Sequence, residues 1–451
     1  MSGGFTASGV GFVNPSGAFV FQGGLGLGRP PQDFELGGGG PLPFGPTIDL
    51  NFASNAYYGV TGAPTSFLTT TGGPGTAVDS NGNWRSFAAN TPRIMPGTGL
   101  LIEESRTNGI RNNTMQGASI GTPGVTPSNW LLRNNTGLST QVVAVGTNQG
   151  INTMDLRFFG TASGAGVLGI NFEASTIIAA LTGQAWAQTA FIAIVGGTTT
   201  NTGTVSLGTD EDTSGGVFIQ SNLGTVPLTS TLTRVTNLFT TSGGVTTAFV
   251  LPYFQLAVNG AGAVDITLRI GWPQLELGAF ATSPIPTTSA AVTRATDLVT
   301  LTSLPTFGAA YSLFGFGTPQ SPTTSGNPQV LVSADDGTTN NRIITYRSQP
   351  AALSRMNVEA AGVALLDYSP PQVWQPNTPG KMSVSYAVGS QIGVYNGGTP
   401  GTATSAAVPA AFSGVHIGSH TNTFSWDGTV SRIAIWTTTA LTAGQLQQIT
   451  T

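Results

Sequence analysis

The sequence predicts an all-β protein: two consecutive antiparallel β-sandwiches of jelly-roll type behind an extended Gly-rich N-terminal arm. Three observations predict it. Short runs of alternating or β-branched residues recur, among them VFIQ (217–220), LTSTLTRVTNLFTT (228–241), TTAFVLPYFQLAV (246–258) and VDITLRIGW (264–272), each bounded by Gly, Pro or Asn. Polarity comes from Thr, Ser, Asn and Gln, since charged residues make up only 8%, against about 25% in ordinary soluble domains. Glycine (63) and proline (28) punctuate the chain, and helical periodicity is hard to find before the last dozen residues.

The same composition excludes several functions. With 15 Lys and Arg, Lys381 the only lysine, and a net charge of −4, the chain lacks the clustered cations that neutralise phosphates, so no nucleic-acid partner is expected. The absence of cysteine removes disulfides, thiol catalysis and Cys-based zinc sites. Two histidines, His416 and His420, leave little for His-based chemistry. Apolar residues at 39%, with 23 Phe and 7 Trp, supply large cores. The opening MSGGFTASGVGF has neither a basic nor a continuous apolar region, so synthesis in a cytosol without export is expected. The uncharged stretch between Glu173 and Asp210 is interrupted by Thr, Gly and Gln, which argues against membrane insertion. It reads as two strands around a turn at 182–184.

In chain order, residues 1–46 form a Gly-rich arm in which Phe5, Phe12, Phe19, Phe21, Phe34 and Phe44 recur. A flexible linker would lack such rings, so the arm is expected to order by docking its Phe side chains on another protein. Residues 47–113 read as a connecting region with strands at TIDLNF and TGLLIEE. Residues 114–300 read as one sandwich and 301–451 as a second, with strands near AYSLFGFG, QVLVSA, NRIITYR, KMSVSYAVG, QIGVYNG, GVHIGS and SRIAIW. No fixed-period repeat is present.

Two stretches carry a resemblance. AVDSNGNWRSFAANTPRIMPGTGLLIEESRTN (77–108) and WPQLELGAFATSPIPTTSAAVTRATDLVTL (272–301) resemble the framing motifs of a module in bacteriophage and prophage structural proteins, of tail-fibre-like and head-fibre-like type. The matched residues are Gly99–Glu104 and Arg106–Asn108, then Gln274–Glu276, Gly278–Ser283, Ile285–Thr288, Val292–Arg294 and Asp297. The likeness spans roughly 47–300 and implies a carbohydrate-binding-module-like sandwich. The tail FSWDGTVSRIAIWTTTALTAGQLQQIT resembles the end of a laminin-G or concanavalin-A-like jelly roll. No acidic pair matches that group's calcium ligands, so neither metal nor other cofactor is expected. The resemblance implies a virion fibre or spike component, a homotrimer, that attaches through its arm and adsorbs to host-surface polysaccharide. A capsid decoration protein without a receptor role and a depolymerising tailspike are the alternatives.

Candidate side chains follow. Glu103, Glu104, Arg106, Glu276, Arg294 and Asp297 hold a large share of the few charges and sit inside apolar strands, where unpaired charge is costly. They are expected to form structural ion pairs, with Arg106 or Arg294 bridging a glutamate between the framing segments. Asp210, Glu211 and Asp212 in GTDEDTSGG, and Asp335 and Asp336 in SADDGTTN, read as turn carboxylates, with a calcium ion held by oxygen ligands of DEDTSGG as the alternative although the spacing fits no EF-hand loop; no catalytic pair is expected, because neighbours on a strand face opposite ways. For glycan binding, Trp374 in the Pro-rich DYSPPQVWQPNTPG and Tyr368 before it are expected as stacking platforms, with Asp335 and Asp336 accepting hydroxyl hydrogen bonds. Trp186, Trp272, Trp426 and Trp436 read as core; Trp84 and Trp130 have no assignment.

Overall fold

Strand after strand shows the period of two that a pleated backbone imposes. In Thr233–Thr240, Val235 and Asn237 point inward while Thr236 and Leu238 stay exposed. In Phe249–Val258, Val250, Phe254, Leu256 and Val258 are buried in the core. The computed structural model describes residues 40–175, 178–242, 246–322, 327–421 and 424–451. Five of the six N-terminal phenylalanines expected to dock (Phe5, Phe12, Phe19, Phe21 and Phe34) lie outside the described residues.

The middle sandwich packs a five-stranded sheet on a larger one. The first runs Ser139–Asn148, Ile151–Ala162, Gly262–Leu277, Ala185–Gly197, Thr233–Thr240. The second runs Phe218–Thr225, Thr202–Asp212, Phe249–Val258, Gly166–Asn171, Leu131–Asn134, with Ile178–Ala179 also on Phe249–Val258. Every pairing is antiparallel. Leu156, Phe158, Ile170, Trp186, Ile192, Phe254 and Leu268 fill the space between them.

The C-terminal sandwich is drawn from both ends of the chain. Its larger sheet is built on Gly428–Trp436, which pairs with Ala310–Pro319 on one side and with Ile48–Asn51 and Gly99–Ile102 on the other. Leu50 lies opposite Ile433, and Asp49 bridges Arg432 at 2.7 Å. The facing sheet ends Gly414–Ile417, Leu298–Leu301, Leu68–Thr71. Residues 47–113 were expected to connect; most of their strands instead complete this sandwich, because Ile48, Leu50, Leu68, Leu100 and Ile102 are apolar and find their burial there. The arm boundary shifts for a similar reason. Gly40 and Phe44 offer carbonyls to Arg432 Nη2 (2.8 Å) and Trp436 Nε1 (2.9 Å), so residues 40–46 are fastened to the sandwich. Phe44 is half-buried there.

The middle sandwich is thus inserted between strands of the other one. Where the chain leaves for it, Arg106–Asn108 pairs with Val292–Arg294, where the chain returns. Besides the four-residue helix Pro64–Phe67, the described residues hold a helix at Ala443–Thr450, started by a Thr442–Gln445 capping box.

Candidate functional site

The two crossing segments bring charges to one buried joint. Arg93 Nη1 lies 2.7 Å from Glu103 Oε2, and its Nη2 pairs with Asp297. Arg294 Nη1 lies 3.0 Å from the same Glu103 oxygen and also donates to Ser283. Ser283 gives Glu103 both its backbone N–H (2.6 Å) and its hydroxyl (2.7 Å). Arg294 therefore joins the two framing segments through Glu103. Arg106 pairs with Glu104 instead. Among the described residues Glu276 has no cation partner of its own, and it is held by Gln274 and by the N–H and hydroxyl of Thr282.

Burial works against every charge in this joint. It pushes the Glu103 carboxyl up, but Arg294, Arg93 and Ser283 outweigh it and bring the pKa down to about 2. At Asp297 burial wins over Arg93 and Arg294, and the pKa is raised. Asp427, which accepts the Glu104 N–H at 2.7 Å, is raised by burial and by the charge of Glu104.

Beside the joint opens a cleft of about 510 Å³ between the sandwiches. One wall is the outer face of the five-stranded sheet, with Arg234, Thr236 and Leu238; another is the hairpin Gly75–Val78/Trp84–Phe87. Phe280, Thr282 and Ser283 come from the returning segment, and Gln320, Pro376 and Asn377 from the C-terminal sandwich. Trp84 is half-buried, its ring edge-on to Phe191 at 5.6 Å, which in turn meets Trp272. Leu238 is 55% exposed and Phe280 half-buried, with the Arg106 guanidinium carbon 4.8 Å from the centre of its ring. The cleft thus combines ring faces, an aliphatic side chain, hydroxyls and amides. Glu103 is the one carboxylate among its described lining residues, and its oxygens are engaged by arginines and Ser283.

The ring expected as the main glycan platform lies in the core. Trp374 is fully buried against Trp426 (5.2 Å) and Tyr395 (5.4 Å), with its indole N–H on the Thr378 carbonyl at 2.7 Å. A Pro-rich loop gives no periodicity from which to read which way a ring points, and this one folds its ring inward. Tyr368 is half-buried, its hydroxyl donating to Thr399 O at 2.6 Å. Asp335 is buried in a strand, with His416 and His420 nitrogens 3.5 and 3.6 Å from its Oδ2. Asp336 is used by its own turn, accepting from Thr338 and Asn341.

The DED run is likewise no turn. Asp210, Glu211 and Asp212 close the strand Thr202–Asp212, and all three are buried. Burial raises the Glu211 carboxyl, but hydrogen bonds from Asn222, Thr247, Ser242 and Gln220 outweigh it, so its pKa is lowered without any arginine. Among the described residues no group of three or more His, Cys, Asp or Glu side chains is placed to hold a metal ion, and no helix is long and apolar enough to cross a membrane.

The sequence left Trp84 unassigned and did not single out Arg234. The usable signals were slight: NGNW as a tight turn followed by a strand, and an arginine alternating outward beside Val235.

No protein-family model and no curated protein matches the chain. Among solved structures it is similar to the carbohydrate-binding module CBM40 of a Ruminococcus gnavus IT-sialidase bound to α2,3-sialyllactose, at 14% identity and TM-score 0.27, over 32% of this chain and 84% of that one. It is also similar to the tandem CBM22-1–CBM22-2 of Paenibacillus barcinonensis Xyn10C, at 8% identity and TM-score 0.24, over 75% and 96%. A third is mouse laminin α1 LG4-5, at 11% identity and TM-score 0.22, over 68% and 91%. Overlaps this small leave any ligand to be read from the cleft.

Proposed function

We propose that this chain is a non-catalytic glycan-binding protein, a head- or tail-fibre component of a phage particle that adsorbs to host-surface polysaccharide. The observation that carries the binding reading is the cleft between the sandwiches. Pyranose rings present apolar faces that stack on aromatic side chains, and hydroxyls that exchange hydrogen bonds with amides and other hydroxyls. Trp84, Phe280 and Leu238 supply the first; Thr98, Thr236, Gln320 and Asn377 the second. Glycoside hydrolysis uses two carboxylates flanking the bond, and the single lining carboxylate is tied up in the joint.

The virion role rests on the resemblance of segments 77–108 and 272–301 to phage structural proteins. Attachment through residues 1–39 and a threefold assembly belong to that part of the reading, with weak binding per copy raised by avidity.

The test is adsorption. Purified protein should bind a panel of bacterial surface polysaccharides, and Trp84→Ala should weaken that binding at least about tenfold while the fold survives, the loss of one stacked aromatic. Oligosaccharide release during incubation would replace the binding reading with a depolymerase. Locating the chain in density of an intact particle tests the virion role separately; native mass measurement of a monomer would remove the trimer.

A further inference from the structure

Arg234 is the cation that the charged joint leaves over. It projects from Thr233–Thr240, with Val235 beside it turned into the core. Its Nη2 donates to Thr189 Oγ1 at 3.1 Å and to the Thr282 carbonyl at 2.7 Å, both neutral acceptors. Its Nε is buried with no partner, and no hydrogen bond reaches Nη1. Among the described residues no carboxylate lies within salt-bridge distance, although two are near. Glu103 is held by Arg93, Arg294 and Ser283, and Glu276 by Gln274 and Thr282. Burial lowers the pKa of this guanidinium, and the charges of Glu276 and Glu103 offset that only in part. The side chain is half-buried, and a cation that has lost part of its hydration without gaining a counter-ion is costly to keep. It becomes favourable when an anion arrives from outside, and a guanidinium suits a planar carboxylate best.

Position adds to the argument. Arg234 lines the cleft beside the rings of Trp84 and Phe280, and its guanidinium carbon lies 5.8 Å from the centre of the Trp84 ring. A ring stacked on Trp84 would hold a substituent within reach of the arginine. Hydroxyls of a neutral sugar could accept from Arg234 too, but they would leave its charge uncompensated.

We propose that the cleft selects acidic sugars, and that Arg234 pairs with the carboxylate of a uronic-acid residue stacked beside it on Trp84. This inference rests on the glycan-binding reading above and narrows it to one ligand chemistry.

The experiment measures binding of the full chain to hyaluronan, alginate and polygalacturonate. Each is compared with its carboxyl-reduced form and with the neutral polymers dextran, galactan and mannan. At least one acidic polymer should bind, and reducing its carboxyls should weaken binding about tenfold, the loss of one charge-assisted contact. Arg234→Gln should lose the preference for the acidic form and the accompanying salt dependence, with Trp84→Ala weakening both forms alike. Carboxyl reduction alters only the ligand, so the comparison survives even if Arg234→Gln folds poorly. Equal binding of acidic and reduced polymers by the unaltered chain would overturn the acidic preference. If neutral polymers then still bind and Trp84→Ala removes it, glycan binding stands without that preference. If no polymer binds, or Trp84→Ala and Arg234→Gln both bind like the unaltered chain, the cleft is not the site and both readings fall.

Discussion

The middle sandwich takes all its strands from one continuous stretch, Leu131 to Leu277, whereas the C-terminal sandwich takes strands from Ile48–Ile102 and again from Leu298–Trp436. The first can close its core from neighbours in sequence. The second cannot, since its central strand Gly428–Trp436 pairs with Ile48–Asn51 and Gly99–Ile102, more than three hundred residues away. The difference teaches where scarce charge is spent. A chain that leaves one sandwich, builds another and returns must fix its crossing point, and here Arg93, Glu103, Arg294 and Asp297 do so in a buried joint. The middle sandwich holds its carboxylates from nearby strands and loops, Glu173 on Arg111, Asp155 on Arg269 and Glu211 on neutral donors.

The largest effect should come from breaking the joint. Arg93→Ala leaves Glu103 short of one cation and Asp297 without its partner, costing on the order of 3–5 kcal/mol. Melting followed by hydrogen exchange should show protection lost first in 48–102 and 298–451, with 131–277 holding longer. Simultaneous loss in both would mean the sandwiches are one cooperative unit.

Trp374→Ala should cost about as much as other large aromatic deletions, roughly 3–5 kcal/mol, by emptying a space among Trp426 and Tyr395. Glycan binding at the cleft should survive in the folded fraction. Lost binding with an unchanged melting curve would return Trp374 to the surface role that the sequence suggested.

Acid should separate the two sandwiches by a smaller margin. In the C-terminal one, burial lowers the pKa of His420 while the charge of Asp335 opposes this. The unfolded imidazole takes a proton near pH ~6.5 that the folded one resists, so stability is complete above that pH and declines below it, levelling off below the folded value. Glu211 in the middle sandwich acts lower: its depressed pKa stabilises above the unfolded value of about 4.3 and is lost as pH falls through the folded value. Exchange at pH 5.5 against 7.5 should therefore loosen the C-terminal sandwich alone, and His420→Asn should flatten the response.

A last comparison concerns the arm. Removing residues 1–46 should cost more than removing 1–39, by roughly 1 kcal/mol for each hydrogen bond lost. Those bonds run from Arg432 and Trp436 to Gly40 and Phe44, and from the Leu42 N–H to Asp49. Equal melting of the two truncations would show that residues 40–46 contribute nothing.

Strand identity, the all-β class and the burial of Trp186, Trp272, Trp426 and Trp436 were legible in the sequence, because alternation and turn residues act over a few positions. The same logic pointed to buried pairing among Glu103, Arg294 and their neighbours: few charges inside apolar strands need partners. It could not supply Arg93, ten residues from Glu103 and outside the motif residues singled out. Nor could it tell that GTDEDTSGG continues a strand, since its Gly, Ser and Thr also make turns. Which sandwich owns residues 48–102, which way the Trp374 ring points, and that Trp84, Arg234 and Phe280 share one cleft were decided by tertiary structure alone. The physical reason is one of range. Backbone sterics and side-chain period are local and written in order along the chain, whereas strand partners and buried counter-ions are chosen by which distant segments can cover each other's apolar faces.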